Sequence, residues 1–178
     1  MKKILLLGGS AQQVVAIETA KRLGYYTILC DYLTDNPGQY SADKFYLLST
    51  TDKEAILTVA MEENINGIVA YASDPAAPTA AYVAEKMNLH TNPYLSTEIL
   101  CNKDKFRVFL QENGFNTPVS GGYGDIETAL HDTAKYQLPV IVKPVDSSGS
   151  KGATVLRSWD NFNEALAFAF SFSRSKRI

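Results

Sequence analysis

A lysine at the end of an apolar run, followed at once by a soft loop of serines and glycines, could bind a polyphosphate. The segment VIVKPVDSSGSKG, residues 140–152, has this arrangement, with the lysine at position 143. A strand-end lysine presents a compact cation with three donors, and a Ser/Gly loop can turn its backbone N–H groups inward around an anion. The segment is not a Walker A loop, because the lysine precedes the loop and no GK[ST] follows.

The loop residues add donors and conformational freedom to this segment. Gly149 and Gly152 permit unusual backbone angles and a close approach to a ligand, and Lys151 adds a second charge. Hydroxyl donors come from Ser147, Ser148 and Ser150. Taken alone, the loop is more typical of a plain hairpin turn with a solvated lysine. The apolar run favours the functional interpretation, because we expect it to bury the base of Lys143.

A second group of cations lies in NKDKFRVFLQENGFNTP, residues 102–118. Lys103, Lys105 and Arg107 fall in the first turns of a predicted helix, where positive charge opposes the helix dipole. An anionic ligand near that end would explain them, and so would a solvated basic patch.

The elements that position these residues begin with a predicted parallel sheet. Apolar runs predict strands, and apolar residues at helical spacing predict the helices between them. Strands and helices alternate over 3–8, 11–23, 26–31, 44–48, 51–64, 67–72 and 75–88. This alternation indicates right-handed βαβ units, and therefore an α/β fold with a Rossmann-like parallel sheet and helices on both faces.

The pattern changes after His90. Further elements are predicted at 94–100, 102–113, near 119, and at 125–137, 139–143, 153–157 and 159–171. We predict a Rossmann-like domain at 1–92, a helical connection at 93–116 and a small α+β subdomain at 117–178. The last part has few strands for an independent core, and its final helix carries an exposed phenylalanine cluster. We therefore expect an incomplete subdomain in a fragment of a longer protein.

The order of motifs resembles the ATP-grasp superfamily. A basic helix start is followed by G-x-x-x-P at 114–118, a helix, an apolar-Lys-Pro strand end and a glycine-containing small-residue loop. This order resembles the start of the ATP-binding unit. Residues 1–92 are similar to the domain that precedes it in ligases of the biotin carboxylase and carbamoyl phosphate synthase type.

The resemblance implies an ATP-dependent ligase that joins a carboxylate to an amine, or to a thiol, through an acylphosphate. It implies that Lys103 and Lys143 contact the nucleotide phosphates. It also implies a loop that closes over them, formed by Ser147, Ser148, Gly149, Ser150, Lys151 and Gly152. The expected cofactors are ATP and Mg²⁺, with metal ligands beyond Ile178. The fragment alone is then expected to be inactive, and we assign no catalytic or metal-binding residue within it.

A further anion site is possible in principle where the first strand meets the first helix. The glycine pair Gly8-Gly9 precedes a helix start, and Asp31 ends the second strand, where a dinucleotide-binding fold keeps its ribose acid. A NAD-binding oxidoreductase domain is therefore an alternative, although the third glycine of G-x-G-x-x-G is missing. By resemblance, Gly8, Gly9, Gln13 and Asp31 are weak substrate candidates.

Ser73 and Asp74 follow the fourth predicted strand and are also weak substrate candidates. Both side chains could instead cap the helix that Pro75 begins, which would explain them without a ligand.

Composition limits the classes of partner. Charged residues make up 20% of the chain and the net charge is -2, which argues against a general nucleic-acid binder. No apolar run is long enough to span a bilayer, and the first run is too short for a signal peptide. Two distant cysteines lack metal spacing. We expect a cytoplasmic protein with small-molecule carboxylate and amine substrates, and we allow for a homodimer. A non-catalytic module that binds ATP, another anion or a protein is the alternative.

Overall fold

The computed structural model describes residues 1–178, which form two compact units, Met1–Glu98 and Ile99–Ile178. Unit 1 alternates strands and helices. Its elements are β1 (Lys3–Leu7), α1 (Val14–Arg22), β2 (Tyr26–Asp31), β3 (Lys44–Leu47), α2 (Lys53–Glu63), β4 (Gly67–Val69) and α3 (Ala77–Lys86), and the unit boundary falls within α4 (Tyr94–Cys101). None of the helices is both long enough and apolar enough to cross a bilayer.

The four strands of unit 1 form one parallel sheet in the order β3-β2-β1-β4. Along β1, Lys3 pairs with Tyr26 and Leu7 with Cys30 of β2, while Ile4 pairs with Gly67 of β4. Because every pair is parallel, the carboxyl ends of all four strands meet at one edge, where ligands of open α/β sheets bind. The predicted Rossmann-like parallel sheet is confirmed.

Residues along β1 and β2 alternate between two apolar clusters, one on each face of the sheet. One face packs on α2 and α3, and the other packs on α1. The first cluster includes Leu5, Leu7, Ile28, Cys30, Ile56, Ala60 and Val83, and the second consists of Leu6, Ile17 and Leu29. A sheet that is covered on both faces explains why its strands read as near-continuous apolar runs.

Unit 2 is a small α+β unit built around one antiparallel hairpin. Its elements are α5 (Lys103–Glu112), α6 (Ile126–His131), β5 (Val140–Val142), β6 (Thr154–Leu156) and α7 (Phe162–Phe172). Within the hairpin, Val140 pairs with Leu156 and Val142 with Thr154. Helices α6 and α7 pack on one face of it, through a cluster that includes Ala129, Val142, Leu156, Phe162 and Leu166.

Two predicted elements of unit 2 differ from the structure. The strand predicted near Val119 is wrong, because that residue lies in an irregular segment and is 66% exposed. The helix predicted over 125–137 ends at His131. The break follows from Asp132, whose carboxylate accepts a hydrogen bond from the Tyr123 hydroxyl at 2.7 Å and pairs with Lys135 in a tight 3₁₀ turn.

Helix α7 buries more of its aromatic surface than the sequence indicated. Phe162 and Leu166 are buried in the core of unit 2, and Phe170 is half-buried. The expected exposed phenylalanine cluster is therefore reduced to Phe168 and Phe172, which are 47% and 42% exposed and stack edge to face.

A buried carboxylate holds together the amino ends of two strands of unit 1. Glu63, the last residue of α2, is 7% exposed and accepts hydrogen bonds from Lys3 Nζ at 2.8 Å, Lys44 Nζ at 2.5 Å and Tyr46 Oη at 2.6 Å. Lys3 begins β1 and Lys44 begins β3, so one side chain links α2 to both strands. The bonds from Lys3, Lys44 and Tyr46 lower the pKa of Glu63 from 4.5 to about 2.

Glu63→Gln is expected to lower the free energy of unfolding at neutral pH and to flatten its decline in acid. Because the pKa is lowered by folding, the contribution of ionised Glu63 is complete above pH 4.5 and is lost as the pH falls towards 2. Urea unfolding followed by circular dichroism, at pH 7 and at about pH 3, measures both effects. Glu62→Gln removes the same charge from an exposed neighbour and serves as the control. Equal unfolding free energies for the two variants at neutral pH would contradict this role.

Candidate functional site

Lys143 directly follows β5 and takes its direction from the alternation of that strand. Val142 is buried against α7, whereas Ile141 points the other way and is 60% exposed beside its cross-strand partner Val155. Lys143 therefore shares a face with Ile141, because residues two apart lie on the same side of a strand. The side chain of Lys143 is half-buried and makes no hydrogen bond or ion pair within the chain.

Lys103 is the first residue of α5 and contacts the segment that leads into the Ser/Gly loop. Its backbone N–H donates to the carbonyl of Val145 at 3.1 Å. Its ammonium donates to the same carbonyl at 3.3 Å and to that of Ser147 at 2.5 Å. The structure thus brings together the basic helix start and the loop, which are separated by more than forty residues of sequence.

The Ser/Gly loop leaves a row of backbone donors without partners. Gly149, Ser150 and Gly152 have positive φ angles of 64°, 57° and 74°. None of the backbone N–H groups of residues 147–150 donates to another group of the chain. Consecutive unpaired N–H groups in such a turn are what an anion nest requires.

Lys103 and Lys143 line one cavity of about 650 Å³, which is within the range of small-molecule sites. Its wall also includes Arg107, Lys135 and Asp104. Two of these charges are compensated inside unit 2: the carboxylate of Asp104 accepts two hydrogen bonds from Arg177, and Lys135 pairs with Asp132. Arg107 and Lys143 also line the cavity and form no ion pair within the chain, which suits an anionic ligand.

Asp146 anchors the start of the loop, and sequence reasoning missed it. Its carboxylate accepts hydrogen bonds from the Ser173 hydroxyl and from the backbone N–H groups of Arg174 and Ser175. Burial favours the neutral acid, but the bonds from Ser175, Ser173 and Arg174 outweigh it and lower the pKa of Asp146. Its partners lie 27 to 29 residues later, so no local pattern could have revealed them.

The weak substrate candidates around the first turn of unit 1 are engaged with one another. The N–H of Gly8 donates to the Cys30 carbonyl at 2.9 Å, that of Gly9 to Asp31 Oδ2 at 2.7 Å, and that of Ser10 to Gln13 Oε1 at 3.0 Å. The second oxygen of Asp31 accepts the N–H of Leu33 at 2.8 Å. These donors and this carboxylate are therefore committed within the chain, which removes the features that favoured a NAD site.

Ser73 and Asp74 do not cap α3, contrary to the expected alternative. The helix begins at Ala77, its N-cap residue is Ala76, and no side chain caps it. The side chains of Ser73 and Asp74 make no hydrogen bond within the chain, and Asp74 is exposed at the carboxyl edge of the sheet. Their assignment as substrate contacts stays a prediction.

Comparison with known proteins finds similarity over both units. Residues 102–177 match the family model described as carbamoyl-phosphate synthase L chain, ATP binding domain. The chain is 32% identical to a formate-dependent phosphoribosylglycinamide formyltransferase of Prochlorococcus marinus, over 98% of this chain and 45% of that protein. It is also 32% identical to the enzyme of the same name from Salmonella schwarzengrund, over 94% of this chain and 43% of that protein. The chain thus spans under half the length of these relatives.

Solved structures agree with this match. L-amino acid ligase from Bacillus licheniformis superimposes with a TM-score of 0.69 at 26% identity, over 93% of this chain and 41% of that one. N5-carboxyaminoimidazole synthetase from Staphylococcus aureus, solved with ADP, gives 0.72 at 18% identity, over 94% and 44%, and shows the likeness of fold. Residues 102–177 are therefore similar to an ATP-binding domain, and the chain as a whole is similar to part of these larger enzymes.

Proposed function

We propose that this chain is part of an ATP-dependent ligase that joins a carboxylate to an amine, or to a thiol. Unit 2 would supply the cationic wall of its nucleotide site. One observation carries the proposal: Lys103 and Lys143 line a single cavity beside a loop with unpaired N–H groups. This arrangement lies within the segment that matches an ATP-binding domain.

The cavity wall offers both an apolar surface and positive charge, and a nucleotide requires both. On the face of β5 that carries Lys143, the exposed side chain of Ile141 offers an apolar surface to a base. The ammonium groups of Lys143 and Lys103 offer charge to the phosphates. A base against Ile141 would direct its phosphates towards Lys143 and the loop at 147–152.

The proposed reaction proceeds through an acylphosphate. A carboxylate oxygen of the acid attacks the γ-phosphorus of ATP, the bond from that phosphorus to the β–γ bridging oxygen breaks, and ADP leaves. The nitrogen of the amine then attacks the acyl carbon, phosphate leaves with the bonding electrons, and the amine loses a proton. The relatives named as a formate-dependent formyltransferase and an L-amino acid ligase support this class of reaction.

The residues of this chain would act by positioning and charge neutralisation. Phosphoryl transfer depends largely on fixed cations around the phosphates, and Lys103 and Lys143 are placed to provide them. The loop at 147–152 would fold its N–H groups over the polyphosphate and exclude water, which would otherwise hydrolyse the acylphosphate.

Mg²⁺ belongs to the proposal for the whole enzyme rather than to the residues of this chain. The chain has no group of three or more His, Cys, Asp or Glu side chains placed to hold a metal ion.

Unit 1 would contribute to the substrate side of the same enzyme. Ser73 and Asp74 carry this part of the proposal, because their side chains are unengaged at the carboxyl edge of the sheet. Gly8, Gly9, Gln13 and Asp31 would shape the same edge without offering free donors. The division into 1–92, 93–116 and 117–178 is part of this proposal.

Lys143→Ala is expected to weaken ATP binding by about tenfold or more, the effect of one charged hydrogen bond. Isothermal titration of the chain with ATP measures it. Lys2→Ala removes the same charge from an exposed position outside unit 2 and is expected to leave the affinity unchanged. An unchanged affinity in Lys143→Ala would refute the assignment of the site.

The protein purified from its source is expected to convert ATP to ADP only when Mg²⁺, a carboxylic acid and an amine or thiol are all present. A coupled assay for ADP, run over a panel of acids and nucleophiles, tests this requirement. ATP binding without turnover across the panel would favour a non-catalytic binding module. ATP hydrolysis that is indifferent to the acid would exclude the acylphosphate route.

A further inference from the structure

Arg107 lies one helical turn after Lys103 on α5 and faces the same cavity. Residues four apart in a helix are neighbours on one face, and both side chains line the cavity wall. Arg107 is half-buried, and it is the only arginine of unit 2 that is not exposed.

The guanidinium of Arg107 is poorly satisfied by the chain. Its one hydrogen bond runs from Nη1 to the hydroxyl of Thr117 at 3.4 Å, and no carboxylate pairs with it. A guanidinium carries five N–H donors, and a partly desolvated cation is stable only when such donors find partners. The exposed arginines 174 and 177 are better satisfied: Arg174 donates to the Asp146 carbonyl at 2.6 Å, and Arg177 to Asp104 at 2.9 Å.

The charges of α5 favour an external anion beside Arg107. Like charges four residues apart, as in Lys103 and Arg107, destabilise a helix, and cations near its amino end also oppose the dipole. Asp104 is the acidic residue of the first turn, and Arg177 already occupies its carboxylate. An anion bound between the two cations would remove both penalties.

We propose that Arg107 binds a phosphate group of the nucleotide, beside the group that Lys103 contacts. This inference rests on the proposed function. The guanidinium fork can donate two parallel hydrogen bonds to one phosphate, which a lysine does not provide. Lys103, Arg107 and Lys143 then form three fixed cations around one polyphosphate, with Arg107 farthest from the Ser/Gly loop along α5.

Isothermal titration of the chain with ATP, inorganic tripolyphosphate and adenosine tests this role. Arg107→Gln is expected to weaken ATP and tripolyphosphate by about tenfold and to leave adenosine unchanged. Arg107→Lys keeps the charge but loses the fork, and is expected to lose part of that affinity. Arg157→Gln is the matched control, because Arg157 is exposed and lies outside the cavity wall.

Equal ATP affinity in Arg107→Gln and Arg157→Gln would overturn the inference while leaving the proposed site in place. An equal loss for adenosine would assign Arg107 to the base and overturn it as well. If the unsubstituted chain binds neither ATP nor tripolyphosphate, the proposed function fails together with the inference. Thermal melting shows whether Arg107→Gln folds; if it does not, full affinity for both phosphate ligands in Arg107→Lys overturns the proposal.

Discussion

The hydrogen bonds of Lys103 to the carbonyls of Val145 and Ser147 determine the geometry of unit 2 around the cavity. They hold the first turn of α5 against the segment that leads from β5 into the Ser/Gly loop. Both acceptors are neutral carbonyls, so these two bonds hold the lysine in place without adding negative charge beside it.

Two glycine-containing turns, one after β1 and one after β5, have similar compositions and opposite hydrogen-bonding states. The turn after β1 directs its N–H groups to Cys30, Asp31 and Gln13, so it is complete without a ligand. The loop at 147–152 leaves four successive N–H groups unpaired and is held only at its ends. Backbone donors that are satisfied stabilise a fold, whereas unpaired donors are available to bind a ligand.

Much of this arrangement could be predicted from the sequence, because it depends on local patterns. Continuous apolar strands and the intervening helices gave the parallel sheet, and the basic helix start and Lys-Pro-loop order indicated the nucleotide segment. The rest depends on side-chain contacts and helix boundaries that no helix or strand periodicity encodes. Asp132 ends α6 by binding Tyr123, and Asp146 finds its partners after α7. Ser73 and Asp74 matched a capping pattern, but the helix starts later, at Ala77. The Tyr123–Asp132 and Asp146–Ser173 bonds join residues 9 and 27 apart, and neither follows from a helix or strand periodicity.

The Ser/Gly loop has a narrow base, the neck, where Gly152 packs on the side chains of Pro144 and Phe172. A Cβ at position 152 would lie 2.8 Å from each of these side chains. Asp146 holds the segment between β5 and the loop to the residues that follow α7. Since the closure entropy of a loop changes only slowly with its length, residues can be inserted or deleted beyond the neck at small energetic cost. Such a change would leave the pairing of β5 with β6 and the packing of the core of unit 2 unaltered. The length of the loop can therefore vary during evolution without moving Lys143, which lies on the hairpin side of the neck.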